Sequence, residues 1–353
     1  MNRISFLKRA AMLLLVAVPA TSLWAYEGSG SQESPYKISS ASDLTTLASE
    51  VNGGTSYSGY YFQLTDDIDL NGVAFTPIGS SVTTGNGPQA TTTLYPFSGQ
   101  FDGAGHYISG ITIDNNSSNN QGLFGVIGSG AIVKNLVLTN SYFDGKDNVG
   151  GIAGTNYGTI ENCHVTTTVT IHASHIQGHD LKCIAHGGIA GLNGGTVTGC
   201  SSSAIISSAN STNKNQSFGG IVGQNGFENG HQNVYLGTVS DNFAIAVNLS
   251  SCGEGNYGII IGQNKNGTVT TNYYNGCKLD DVIKESAFGV GKDKKDNNKI
   301  PVDLDGGAEH GYYAALVGEY IIATTQSDIT TVIVPAHLED VAIEKMTDRK
   351  SVV

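Results

Sequence analysis

One glycine-rich sentence is written four times in this chain, and it constrains the fold more than any other feature. It reads NVGGIAGTNYGTIENC from Asn148 to Cys163 and returns at His186 as HGGIAGLNGGTVTGC. It starts again at Phe218 as FGGIVGQN and at Tyr257 as YGIIIGQNKNGTVTTNY. The leading glycines Gly150, Gly187, Gly219 and Gly258 are 37, 32 and 39 residues apart. A looser copy, GLFGVIGSGAIVKNL, begins at Gly122. A period of this size means an array of similar units, each burying its apolar face against the next. Within a unit the runs VGGIAG, GTIENC and VTTTVTIHA are too short for helices and rich in Thr, Val and Ile, so they read as three strands.

Three short strands with variable connections describe one coil of a parallel β-helix, in which every strand pairs with its copy on the coils above and below. Equivalent residues then stack. Ile160, Val197, Val239 and Val269 are expected to form one inward column, and Cys163, Cys200, Phe243 and Tyr273 a second after a corner. Asn156, Asn193, Asn225 and Asn264 are expected to stack at a turn, each amide bonding to the next coil. The crossover rule for parallel strands makes the coil right-handed. Cys163 and Cys200 fall on matching positions of consecutive coils, where stacking does not aim one Cβ at the other; they read as small core thiols.

The fold class is therefore all-β, a parallel β-helix (β-solenoid) with a short helix-containing cap before it and a small β-rich extension after it. Residues 1–25 carry Arg3, Lys8 and Arg9, then an apolar run and SLWA, the pattern of a secretory signal peptide cleaved near Ala25 or at Ala20. Residues 26–58 form the cap, where SSASDLTTLASEVNGG gives a helix started by Ser42, with Leu44, Leu47, Ala48 and Val51 on its apolar face and Gly53 at its end. Residues 59–277 form the β-helix and 278–311 a charged linker. Residues 312–353 form the β-rich segment, ending without a closing cap, as expected of a truncated chain or the start of another module.

Removal of the leader takes the formal charge from −12 to −15 and leaves Arg349 as the one arginine. Such a surface excludes nucleic acid, and no second apolar stretch is long enough for membrane insertion. Five cysteines, an odd number, leave at least one unpaired within the chain.

The stretches FSGQFDGAGHYISGITI, QGLFGVIGSGAIVKNLVL and the GGIAGxNxGTI copies resemble the GLUG-motif repeats of bacterial surface proteins, from about Tyr36 to Cys277. The resemblance implies an exported β-solenoid of adhesin-like type, a monomer or part of a larger surface assembly. Such repeats also occur as non-catalytic parts of immunoglobulin A1 peptidases. The zinc-peptidase pattern His-Glu-x-x-His is absent, because no histidine precedes a glutamate.

Two functional classes follow. One is a non-enzymatic binding or adhesion scaffold for a host glycan or protein ligand, secreted or at the cell surface. It would present the polar inserts Thr83–Leu94, His172–His186, Ser207–Ser217 and Phe227–Leu236 on a rigid rod. The other is a carbohydrate-active enzyme, a polysaccharide lyase or glycosidase. Lyases of this architecture resemble the chain but use a catalytic arginine, and none stands between Arg9 and Arg349. A glycosidase needs a carboxylate pair, and the sparse acids of the coils single out none. The densest constellation is HASHIQGHDLKCIAH: His172, His175, His179, Cys183 and His186 have spacings compatible with one transition-metal ion such as zinc. The alternative is a polar loop, with His186 stacked in the column of Val149, Phe218 and Tyr257. Asp66, Asp67 and Asp69 read as a strand end and not a calcium site, since no glycine-containing calcium loop accompanies them.

Overall fold

The computed structural model describes residues 26–275, apart from Gly72, Ala74, 86–89, 175–183, 210–215, 229–233, Ala246, 253–254 and Thr271, together with the strands Tyr312–Val317 and Tyr320–Thr325. Residues 1–25 and 278–311, expected as a signal peptide and a charged linker, lie outside these residues.

Each full coil has five short strands rather than the three expected from the sequence, so the rod has five faces. The coil holding the first repeat shows the plan. Ile132–Lys134 lies on face I, Val137–Leu138 on face II, Ser141–Gly145 on face III, Val149–Gly150 on face IV and Ala153–Asn156 on face V. The next coil repeats it with Thr159–Glu161, His164–Val165, Val169–Ala173, Ile184–Gly187 and Ala190–Asn193. Face I is the longest sheet, eight strands from Tyr36–Ile38 to Thr268–Thr270; faces II to V have seven, five, four and five. All pairings within the faces are parallel.

Two local devices divide the coil. Between faces I and II the chain turns through one left-handed residue, at Asn135, Asn162, Gly199 and Asp241 (φ 54°, 49°, 62° and 58°). Asparagine, aspartate and glycine tolerate this backbone best. Between faces IV and V stand the repeated glycines. A Cβ on Gly150, Gly187 or Gly219 would run into the carbonyl oxygen of Ala153, Ala190 or Val222. The repeat keeps glycine there because two backbones touch.

The core is a set of columns along the rod axis. On face I, Phe62, Phe101, Val133, Ile160, Val197, Val239 and Val269 are in direct register. The expected column through the cysteines is slipped by one at its far end. Phe243 pairs with Ser201, not with Cys200, and the residue that follows the left-handed corner on that coil is Asn242. The inward positions there are Leu136, Cys163, Cys200, Asn242 and Asn272, all buried. Asn242 and Asn272 make a second amide ladder: Asn242 Nδ2 donates to Asn272 Oδ1 at 2.9 Å and to the Val197 carbonyl at 2.9 Å.

The helix spans Ala41–Asn52, between the first two strands of face I, and replaces the remaining faces of the first coil. Its N-cap is Ser40, two residues before the expected Ser42; the Ser40 side chain accepts from Asp43 N at 3.2 Å. Leu44, Leu47, Ala48 and Val51 are buried in the same core as the columns. The helix thus fills the rod's first opening, which would otherwise expose sheet edge.

Candidate binding surfaces

Two of the inserts expected from the sequence form hairpins on the rod. Residues Ser80–Thr84 and Thr91–Tyr95 form an antiparallel hairpin projecting from face V. The inserts after His172 and Ser207 fall in sequence between a face III strand and the next face IV strand, and residues 175–183 and 210–215 of them lie outside the described residues. Phe227–Glu228 and Val234–Tyr235 form a second hairpin between faces V and I.

Of the histidine tract, His175, His179 and Cys183 lie outside the described residues. The structure places the other two differently. His172 alternates with the buried Ile171 and Ala173 on face III, so its ring faces outward; Nδ1 lies 2.8 Å from Ser207 Oγ on the next coil, and the ring stacks over Tyr142. His186 belongs to the inner column of face IV. It pairs with Val149 on one side and Phe218 on the other, has no exposed surface, and stacks on Phe218 at 5.3 Å. Neither of its nitrogens has a hydrogen-bond partner among the described residues. Burial, with a smaller contribution from His172, pushes its pKa down to about 3. Among the described residues no group of three His, Cys, Asp or Glu side chains is placed to hold a metal ion.

His172 also stands in an outward row that the sequence reading missed. Asp114, Asp144, His172 and Ser207 occupy equivalent positions on four consecutive coils. The order of carboxylate, imidazole and hydroxyl resembles a hydrolytic relay, but Asp144 Oδ1 accepts Ser174 N at 2.9 Å, from the backbone beside the row. A relay needs its carboxylate on the imidazole. The aspartates at the start of face II are engaged likewise: Asp67 Oδ1 accepts Tyr107 N and contacts His106 Nδ1, and Asp69 Oδ1 accepts Asn71 N.

At the corner between faces V and I the expected ladder is present. Asn156 Nδ2 donates to Asn193 Oδ1, Asn193 to Asn225 and Asn225 to Asn264, at 2.8, 2.9 and 3.0 Å. The Oδ1 atoms of Asn156, Asn193 and Asn264 also accept from the backbone, from Gly158 N, Gly195 N and Gly267 N at 3.0, 3.2 and 3.1 Å. The second hairpin lies on this corner. Phe227 and Tyr235 are a cross-strand pair with stacked rings 4.7 Å apart, and both meet Tyr157 edge-on, at 5.7 and 5.0 Å. A Cβ on Gly194 would press into Phe227 and Tyr235, so the hairpin sits directly on the ladder. Val234 and Leu236, 55% and 57% exposed, are the most exposed large apolar side chains of the described residues.

Residues 147–170 match the GLUG motif. In the structure that span runs through faces IV, V, I and II and into face III, so one motif is almost one coil. Over 168 residues the chain is 36% identical to halomucin of Haloquadratum walsbyi, a match covering 46% of this chain and 2% of halomucin. Over 147 residues it is 35% identical to an Evansella cellulosilytica protein provisionally described as a Gly-rich membrane protein, covering 39% and 15% of the two chains. The chain thus spans a small fraction of either relative. A crystal structure of a Bacteroides ovatus protein, provisionally assigned as an immunoglobulin A1 protease, aligns with a TM-score of 0.40 at 18% identity over 70% of this chain and 77% of that one.

Proposed function

We propose that this chain, a GLUG-motif repeat protein with a parallel β-helix fold, is an exported surface module that binds a glycan or protein ligand without transforming it. The observation that carries the reading is the division of labour along the coil. Backbone and amide ladders hold the faces rigid, while the sequence departs from the repeat in inserts, two of which form hairpins, one from face V and one between faces V and I. Rigid scaffolds with variable projections are the usual architecture of recognition. The relatives add support: the similar stretches form 2% of a protein named halomucin and 15% of one provisionally described as a Gly-rich membrane protein, as suits a module of longer chains.

The test is a binding screen of the full chain against glycans and matrix proteins, run beside a polysaccharide digestion assay. Saturable binding with no depolymerisation is the expected result. Reproducible depolymerisation abolished by Asp144→Asn or another single carboxylate change would replace this reading with an enzymatic one.

A further inference from the structure

We infer that face I and the aromatic hairpin beside it form one continuous strip for a neutral glycan chain. This rests on the binding reading above and names its surface and ligand class.

Two independent features meet at the strip. The first is a hydroxyl grid. In the last coils face I reads Thr-Val-Thr, Thr-Val-Ser and Thr-Val-Thr, with the valines inward and Thr196, Thr198, Thr238, Ser240, Thr268 and Thr270 outward in strict register. Thr159 begins the outer row one coil earlier. Strand geometry sets the grid at roughly 4.8 Å between coils and roughly 6.7 Å along each strand. The outward side chains retain solvent access, and Thr198 Oγ1 and Ser240 Oγ are 3.1 Å apart. The second feature is the aromatic group. Tyr157 stands two residues before Thr159, and Tyr235 three before Thr238, so Tyr157, Phe227 and Tyr235 form a half-exposed wall where the grid begins.

A pyranose has a face of C–H groups and a rim of hydroxyls. Aromatic rings take the first and a row of hydroxyls takes the second, so a ring wall beside a hydroxyl grid suits a chain of such units. Charge narrows the class. Glu161, Glu228 and Asp241 flank the strip against Lys265 and Lys134, the latter paired with Asp102 at 3.5 Å, and the whole chain is acidic. Sulfated or uronic polymers would be repelled.

The test is affinity gel electrophoresis of the full chain in gels containing a soluble β-glucan, a galactomannan, a mannan or polygalacturonate, with immobilised fibronectin as the protein ligand. At least one neutral polymer should retard the protein and polygalacturonate should not. Tyr235→Ala should weaken retardation about tenfold, the range of a central aromatic contact. That change also touches hairpin packing, so the shape-conserving pair Thr196→Val and Thr238→Val is tested separately, with an unchanged melting curve as the control. Loss of glycan retardation in the threonine pair supports the strip. Glycan binding unaltered in both variants overturns the strip and leaves the binding reading standing, as does binding to fibronectin alone. No binding to any of these overturns both.

Discussion

His186 shows how a single residue sets the chain's response to acid. Its pKa is about 3 in the folded rod, held down first by burial, against roughly 6.5 in an unfolded chain. The unfolded state therefore binds the proton more readily. Stability is full above about pH 6.5 and falls as pH drops towards 3, by about 2 kcal/mol at pH 5. His164, driven to about 4 by burial, acts in the same direction. His186→Phe continues the stack onto Phe218 and removes two unpaired nitrogens. It should match or exceed wild type in thermal melting at pH 7 and exceed it clearly at pH 5; an identical pH dependence in both proteins would refute the assignment. The cysteines give a second expectation. Cys163 and Cys200 are free and buried, with Cys163 N 3.4 Å from Cys200 Sγ, and burial raises the Cys163 thiol. Iodoacetamide should leave both untouched in the native rod and label both in urea; rapid native labelling would contradict their core placement. Position-by-position repetition made the Ile160 column and the Asn156 ladder readable from sequence. The same reasoning slipped at Asn242, because a buried amide does not look like core, and the register depends on aligning Asp241 with Gly199 as left-handed corners. The histidine tract looked like one cluster, but alternation turns His172 outward and the Gly-Gly pair carries His186 inward.

At the scale of elements, the strands owe little to their own length. Several have two residues, far too few for a period-two pattern to show, and this is why three strands were expected where five exist. What orders them is the stacking of corners. Asn193 is the central rung: it accepts from Asn156, donates to Asn225, and accepts Gly195 N at 3.2 Å. Asn193→Ala takes the Asn193 donor from the buried Asn225 Oδ1 and the acceptor from Gly195 N, while Asn156 Nδ2 keeps the Gly158 and Thr196 carbonyls at 3.3 and 3.2 Å, so it should cost roughly 1–3 kcal/mol, the desolvation penalty of buried groups left unpaired. Asn264→Ala, at the last rung and half-buried, should cost clearly less. Urea midpoints at constant m-value measure both; equal costs would mean that the ladder does not act through its interior. The helix follows the same logic of closure. Its apolar face was legible from spacing, but its start was not, because Ser39, Ser40 and Ser42 are all competent caps and only the tertiary position of the first strand chooses Ser40.

For the whole molecule, the stack makes the rod additive along its axis. Eight strands on face I rise through seven steps, about 34 Å at the usual strand spacing, and each coil touches only its neighbours. An excision in phase with the repeat should therefore be tolerated. Deleting residues 159–195 joins Gly158 to Thr196, the partner of Thr159 in the register, so Val197 meets Val133, Phe218 meets Val149, and Asn156 passes its hydrogen bond to Asn225. The shortened chain should fold with strand-dominated circular dichroism and a single unfolding transition, at reduced stability. Deleting 159–177 instead breaks phase, exchanges inward and outward positions over the remaining coils, and should abolish cooperative unfolding. If the two deletions behave alike, the coils are not the independent units their registers describe. The in-phase deletion also removes His172, His175, His179, Cys183 and His186 together. Zinc titration of the two folded proteins then decides the fate of the tract as a metal site. With His186 held inside the core and His172 paired to Ser207, we expect equal and weak heats from both, whereas a stoichiometric heat from the intact rod alone would restore the site.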